Sequence, residues 1–151
     1  MRKIVILLLC VSLLCPLLSS CRADPDAYSM LSSFINTYGA EGTIYSPNIH
    51  EGNPGYVYDG LMEKIYLFSG DFPTNYAVFL NGRTDTTSEC AIFVCSDAEM
   101  MAMVEEMCLE RIRLLSFGGD HAFVKRSSNI CFYSTLQDRA RAEKIFSQII
   151  R

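Results

Sequence analysis

Histidine is scarce in this 151-residue chain: only His50 and His121 are present, and neither belongs to a recognisable nucleophile motif. No Cys-x-x-Cys pair and no glycine-rich phosphate-binding loop occur. The sequence therefore predicts no catalytic residue, no metal site and no cofactor. A small cell-envelope hydrolase, using an Asp or Glu with one of the two histidines, is the enzymatic alternative.

Basic residues are also few. The chain has 13 Lys and Arg against 17 Asp and Glu, a net charge of −4, and the basic residues form no patch. Nucleic-acid binding needs clustered Lys and Arg to contact phosphates, so we expect no nucleic-acid partner. Half of the residues are apolar and no long polar low-complexity tract occurs, which predicts one folded domain with a real core.

The N-terminus carries the strongest functional signal. Met1-Arg2-Lys3 is a short basic segment, and Ile4 to Leu18 is an apolar run that is too short for a typical span of ~20 residues. The run ends in Leu18-Ser19-Ser20-Cys21, which resembles the lipobox of bacterial lipoproteins. An ordinary signal peptide with an incidental cysteine, or an uncleaved anchor, is the alternative.

The lipobox resemblance implies a lipid anchor at Cys21. In that family the peptide before the cysteine is removed and the thiol carries diacylglycerol, with palmitate as a typical acyl chain. The expected organisation is a signal peptide over 1–20, a lipidated cysteine and short tether over 21–24, and a single domain over 25–151. That domain is expected at the cell membrane, on its extracytoplasmic side.

The stretch from Glu89 to Leu115 organises the rest of the chain. It reads as an apolar strand over 89–95, a capping box at Ser96-Asp97-Ala98-Glu99, and a long helix. A strand over 75–81 precedes it, whereas a second hairpin over 121–125 and 129–134 follows it. A last helix, capped by Ser134 or Thr135, then gives the order β-β-α-β-β-α.

The segment before residue 75 is predicted to hold two helices. The first covers about 25–38 with Asp24 as its N-cap, and the second covers about 60–68. A long loop over 39–58 separates them. The fold class is therefore α+β, with a four-stranded, mainly antiparallel sheet and the two longer helices on one face. The central strands are apolar on both sides, so the N-terminal helices or a partner should cover the second face.

Three segments of the second half resemble a known family. They are SECAIFVC with its acidic Glu89, CLERIRLL with Arg111, and NICFYS followed by AEKIFSQII. Over about 59–150 these segments are similar to uncharacterised bacterial lipoproteins that carry a domain of unknown function. The resemblance implies an extracytoplasmic α+β domain and brings no activity.

Arg111 is the unusual charge of the long helix. It falls near the middle of a wide apolar arc, where an unpaired guanidinium would cost several kcal/mol. Glu89, at the start of the preceding strand, is the predicted partner. A structural ion pair or a side chain reaching the helix edge is one interpretation, and a site for an anionic ligand is the other.

Two further groups of side chains are weaker candidates. Tyr45, Tyr56 and Tyr58 lie in the long loop, where they either pack back on the domain or form a ligand site. The four cysteines of the expected domain lie inside predicted strands or a helix, which favours free buried thiols over three alternative disulfide pairings; they are Cys90, Cys95, Cys108 and Cys131.

Taken together, these features predict a non-enzymatic, membrane-anchored binding or accessory module. Its membrane contact is the lipid on Cys21, and an envelope protein is the further partner it allows. The hydrolase described above and a purely structural envelope protein are the alternatives.

Overall fold

The computed structural model describes residues 25–68, 70–82, 88–115 and 119–151. The predicted signal peptide, Cys21 and Asp24 lie outside these residues. A five-stranded antiparallel sheet forms the middle of the domain, with the strand order β1-β2-β3-β5-β4. The strands are β1 Thr43–Tyr45, β2 Asn75–Leu80, β3 Glu89–Val94, β4 Phe123–Ser127 and β5 Ile130–Ser134.

Four helices pack on this sheet: α1 Ala27–Tyr38, α2 Leu61–Tyr66, α3 Ala98–Leu115 and α4 Arg139–Ile149. The α+β class and the antiparallel sheet are thus confirmed. Within the described ranges, none of these helices combines the length and the apolarity needed to cross a bilayer.

The predicted count of four strands is wrong, because β1 adds a fifth. It lies inside the segment that the glycine and proline pattern marked as loop, and it pairs with β2 so that Ile44 faces Phe79. Gly42 permits this approach, since a Cβ there would lie 2.4 Å from the carbonyl oxygen of Leu80. A three-residue strand is too short to show an alternation of apolar and polar residues, which is why the sequence does not reveal it.

The prediction that both long helices share one face is also wrong. α1 and α4 cover the first face, on a core that includes Phe79, Ile92 and Phe132. α2 and α3 cover the second face, on a core that includes Phe93 and Tyr133. Both sides of the central strands are apolar, so each side needs a helical layer to keep water out.

Within the described residues, both faces of the sheet are covered by helices. Phe79 on the first side and Phe93 on the second are both fully buried within the chain itself. Any protein partner must therefore contact helices, loops or sheet edges.

Helix starts differ slightly from the sequence predictions. The N-cap of α1 is Asp26, whose carboxylate accepts a hydrogen bond from the backbone N–H of Ser29. At the start of α3 the backbone N–H of Met100 donates to Asp97, so Asp97 rather than Ser96 supplies the cap, while the Ser96 hydroxyl donates to Asp97.

The predicted cap of α4 is wrong as well. Asp138 caps this helix by accepting from the N–H of Arg141. Thr135 instead exchanges hydrogen bonds with the backbone of Glu89, and the Ser134 hydroxyl accepts from the N–H of Leu136. These contacts fix Glu89, the first residue of β3, against the end of β5.

Candidate functional site

Arg111 and Glu89 form a bidentate ion pair between α3 and β3. Arg111 Nε donates to Glu89 Oε1 and Nη2 donates to Oε2, each at 2.7 Å. The Glu89 side chain is 1% exposed and that of Arg111 is 18% exposed. The predicted pairing is confirmed, and its two parallel hydrogen bonds are the strongest form such a contact takes.

Three further groups complete the pair. Arg111 Nη1 donates to the carbonyl oxygen of Ile65 at 2.9 Å, which ties the end of α2 to α3. The Tyr133 hydroxyl donates to Glu89 Oε1, and the hydroxyl oxygens of Tyr66 and Tyr133 lie 2.9 Å apart. Because the Tyr133 hydroxyl donates its hydrogen to Glu89, the Tyr66 hydroxyl is the donor to the Tyr133 oxygen. No sequence pattern indicates this chain of hydroxyls, since a tyrosine in a strand resembles any other aromatic residue of a core.

Burial sets the charge state of this cluster. It raises the pKa of both Tyr66 and Tyr133 well above the ordinary range, and the nearby Glu89 charge adds to the effect. For Arg111, burial opposes the charge, but the hydrogen bonds to Glu89 outweigh it and raise the pKa. The two phenols are therefore neutral and Arg111 is charged, held by its two hydrogen bonds to the Glu89 side chain.

A pocket of about 280 Å³ opens beside the pair. Tyr45, Thr43, Asn81 and Ser88 share its lining with Glu89 and Arg111. Glu89 already neutralises Arg111, so an anionic ligand would gain little from entering. The arrangement favours a structural role, in which the pair fastens α2 and α3 to β3, over the anion-binding alternative.

The three loop tyrosines do not converge on one site. Tyr45 lines the pocket beside Arg111, whereas Tyr58 lines a separate pocket with Pro47 and Thr74. The Tyr56 side chain is exposed, as is that of Tyr58. The structure therefore places the three tyrosines in different surroundings and does not bring them together in one pocket.

The two histidines lie in loops on different parts of the chain. His50 is exposed in the loop after β1 and His121 is half-buried just before β4. Among the described residues, His50 accepts a hydrogen bond from the Asn53 side chain through its backbone carbonyl, and neither imidazole is hydrogen-bonded to a carboxylate.

The cysteines are buried thiols. Cys90, Cys95, Cys108 and Cys131 are all free and all buried. Burial raises the pKa of Cys90 and Cys108 well above the ordinary range and that of Cys95 to about 11, which keeps these thiols protonated and unreactive. Over the described residues, no group of three or more His, Cys, Asp or Glu side chains is placed to hold a metal ion.

An apolar groove of about 460 Å³ runs between the end of α2 and the second half of α3. We call it the leucine groove; it is lined by Tyr66, Leu67, Phe68, Met103, Glu106, Met107, Leu109, Glu110 and Arg113. Leu67 is 75% exposed and Leu109 is 53% exposed. These are the two most exposed of the large apolar side chains that the structure describes.

Leu67 is unusual in its backbone as well as in its exposure. It terminates α2 in the left-handed region, with φ at 51°. That conformation favours Gly or Asn at a helix end and costs other residues roughly 1 kcal/mol. Sequence reasoning placed residue 67 inside the helix and so missed both features. The only available signal was Gly70 and Pro73 shortly after it, which fit an earlier helix end.

Comparison of the chain with protein-family models, with curated proteins and with solved structures finds no match.

Proposed function

We propose that this protein is a lipid-anchored lipoprotein of the extracytoplasmic side of the cell membrane, and that it binds a partner protein through the leucine groove. The segment Leu18-Ser19-Ser20-Cys21 supports the anchor. Membership of a family of bacterial lipoproteins, on the segments quoted above, is part of the same proposal. The binding role is that of a non-enzymatic accessory module.

Leu67 is the observation that carries the binding role. A leucine that is 75% exposed contributes little to the core, and its left-handed backbone makes it less favourable than glycine at the same place. The isolated domain therefore gains little stability from Leu67. Burial of the leucine side chain against a partner would contribute ~1.5–3 kcal/mol to the free energy of binding, which would explain a leucine at this position.

The groove also limits the chemistry of the partner. Its floor is apolar through Met103 and Met107, which adapt to different shapes. On its rim, Glu110 and Arg113 form an ion pair with each other. The remaining charged residue, Glu106, therefore gives the rim a net negative charge. The fitting partner is a protein segment that inserts an apolar side chain and carries a basic residue beside it.

The test is crosslinked capture of the full lipidated protein from its native membranes, read by quantitative mass spectrometry. The variants Leu67→Asn and Leu109→Gln remove apolar surface from the groove, and Leu114→Gln is the matched control. Leu114 is also exposed, at 40%, and lies on the same helix outside the groove lining. Asn tolerates the left-handed conformation of residue 67, so that variant keeps the local fold.

We expect one stoichiometric partner whose recovery falls about tenfold in both groove variants, as the loss of ~1.4 kcal/mol would produce, and stays unchanged in Leu114→Gln. Equal recovery from all three variants would overturn the groove as the binding surface. A self-crosslinked dimer that is lost in the groove variants would identify a second copy of this chain as the occupant.

A further inference from the structure

Pro25 lies at one end of the sheet. Its carbonyl oxygen accepts a hydrogen bond from the Asn75 side chain, and Asn75 in turn accepts from the N–H of Ala27. Asn75 begins β2 and pairs with Val94, the last residue of β3. We call this the proximal end of the domain. The distal end is the opposite one, where Glu89 begins β3.

A groove of about 350 Å³ crosses the proximal end between α1 and α4. Its lining is apolar or uncharged except for Arg151; it includes Pro25, Met30, Ser128, Asn129 and Ile149. We call these residues the proximal surface.

We propose that the proximal surface faces the outer surface of a phospholipid bilayer, so that the distal end and the leucine groove point away from it. This inference rests on the proposed anchoring at Cys21. Four residue steps separate Cys21 from Pro25, and whatever their conformation they span at most about 14 Å. Pro25 is therefore always close to the lipid headgroups.

The length of the sheet disfavours the inverted orientation with the strands upright on the membrane. β3 has six residues and is about 17 Å long. If the distal end rested on the bilayer, Pro25 would stand farther from the membrane than the tether can reach. The Arg111 pocket lies at the distal end, and the leucine groove lies along the second half of α3, so both are accessible to a partner in the extracytoplasmic space.

Charge decides which side of the proximal end fits the membrane. Asp71 and Asp97 lie on the α3 side of the sheet, where they would be repelled by anionic headgroups. Asp26 also keeps its negative charge, but it lies on the α1 side, where Ser29 and Asn48 donate hydrogen bonds to it. The α4 side instead offers Arg151 beside apolar and amide groups, which suits phosphate headgroups.

Two glutamines at opposite ends of α4 provide a matched test. Gln148 is exposed in the last turn of the helix near the proximal surface, and Gln137 is exposed just before its first turn at the distal end. Each is replaced by cysteine in the full lipidated protein and labelled with a fluorophore; the four native thiols of the domain are buried. The proteins are reconstituted into phosphatidylcholine and phosphatidylglycerol vesicles that contain a headgroup-spin-labelled phosphatidylcholine quencher.

Because the 11 residues of α4 extend about 16 Å and the two positions lie at its opposite ends, we expect at least about twofold stronger quenching at Gln148→Cys than at Gln137→Cys. Equal or reversed quenching in protein that floats with the vesicles would overturn the orientation and leave the anchor intact. Failure of the protein to float, with an unmodified Cys21 by intact mass, would overturn the proposed anchor and the orientation with it. Hydrogen exchange of the unlabelled protein gives a second readout, in which vesicles should protect the turn around Ser128.

Discussion

At the scale of single residues, the bidentate contact between Glu89 and Arg111 dominates the polar chemistry of the domain. Both charges are largely removed from water, so each depends on the other and on the hydroxyl of Tyr133. The sequence was sufficient to predict this pair, because a lone Arg in an apolar arc demands an acidic partner. It was not sufficient to predict the tyrosines, whose hydroxyls come together only through the register of β5 and the position of α2.

Removal of either partner should strongly destabilise the fold. We expect Glu89→Gln and Arg111→Met each to lower the free energy of unfolding by about 3–5 kcal/mol, since each leaves a buried charge without compensation. The double variant should lose less free energy of unfolding than the two single variants together, and the difference should be at least ~1.5 kcal/mol. Urea denaturation of the four proteins measures this coupling.

The exposed pair Arg113–Glu110 on the same helix is the control. Its side chains are 72% and 47% exposed, so the corresponding Arg113→Met and Glu110→Gln cycle should show a coupling below ~1 kcal/mol. Additive effects at Glu89 and Arg111 would contradict the account of this pair as a structural unit.

Tyr76 gives a residue-scale prediction about alkaline pH. Burial raises its pKa to about 12, whereas the same phenol in the unfolded chain titrates near 10. Above pH 10 the unfolded state therefore releases its proton first, and the stability that Tyr76 contributes below that pH is lost as the pH rises toward 12. The variant Tyr76→Phe should be close to wild type at pH 8 and about 1 kcal/mol more stable than wild type at pH 11. Urea denaturation of both proteins at the two pH values measures this difference in the free energy of unfolding. The same difference at both pH values would contradict a raised pKa of Tyr76.

At the scale of elements, local sequence signals located most helices and strands but misplaced several of their ends. The caps moved by one to a few residues because Asp26, Asp97 and Asp138 compete with neighbouring Ser, Thr and Asp residues for the same role. The sequence does not predict β1, because its pairing depends on β2, which lies about thirty residues later in the chain. Such contacts are tertiary, and no local pattern contains them.

Leu67 should be replaceable without loss of stability. Glycine in the left-handed position at the end of α2 relieves roughly 1 kcal/mol of backbone strain, and little buried apolar surface is lost. We therefore expect Leu67→Gly to leave the free energy of unfolding unchanged or raise it by up to ~1 kcal/mol, while partner recovery falls. A variant clearly less stable than wild type would show that Leu67 serves the fold itself, and would remove the main argument for the groove.

A second prediction at this scale concerns the contribution of the N-cap of α1 to stability. Asp26→Ala should cost about 1 kcal/mol at neutral pH, because it removes the acceptor for the N–H of Ser29. The hydrogen bond from the Ser29 side chain lowers the pKa of Asp26 below its ordinary 3.8. Because the pKa of Asp26 is lower in the folded than in the unfolded state, the charged cap stabilises the fold at pH values above 3.8. This stabilisation is lost as the pH falls below that value. The gap between wild type and variant should therefore close in acid, as thermal unfolding near pH 7 and near pH 3 would reveal; a constant gap would contradict the charged cap.

At the scale of the whole molecule, the layer arrangement was the least predictable feature. The strands β2 and β3 are apolar on both sides, which correctly indicated that both faces are covered. Which helix covers which face depends on how the chain crosses the sheet, and the pattern of single helices does not encode it. In the described part of the chain, one N-terminal helix and one of the two later helices cover each face of the sheet.

The anchor at Cys21 is the claim on which location, orientation and partner all depend, and intact mass spectrometry of the protein extracted from bacterial membranes tests it most directly. We expect a chain that begins at Cys21 and carries diacylglycerol at that residue, recovered in the membrane fraction. A chain that still contains residues 1–20, or one with an unmodified Cys21 in the soluble fraction, would contradict it.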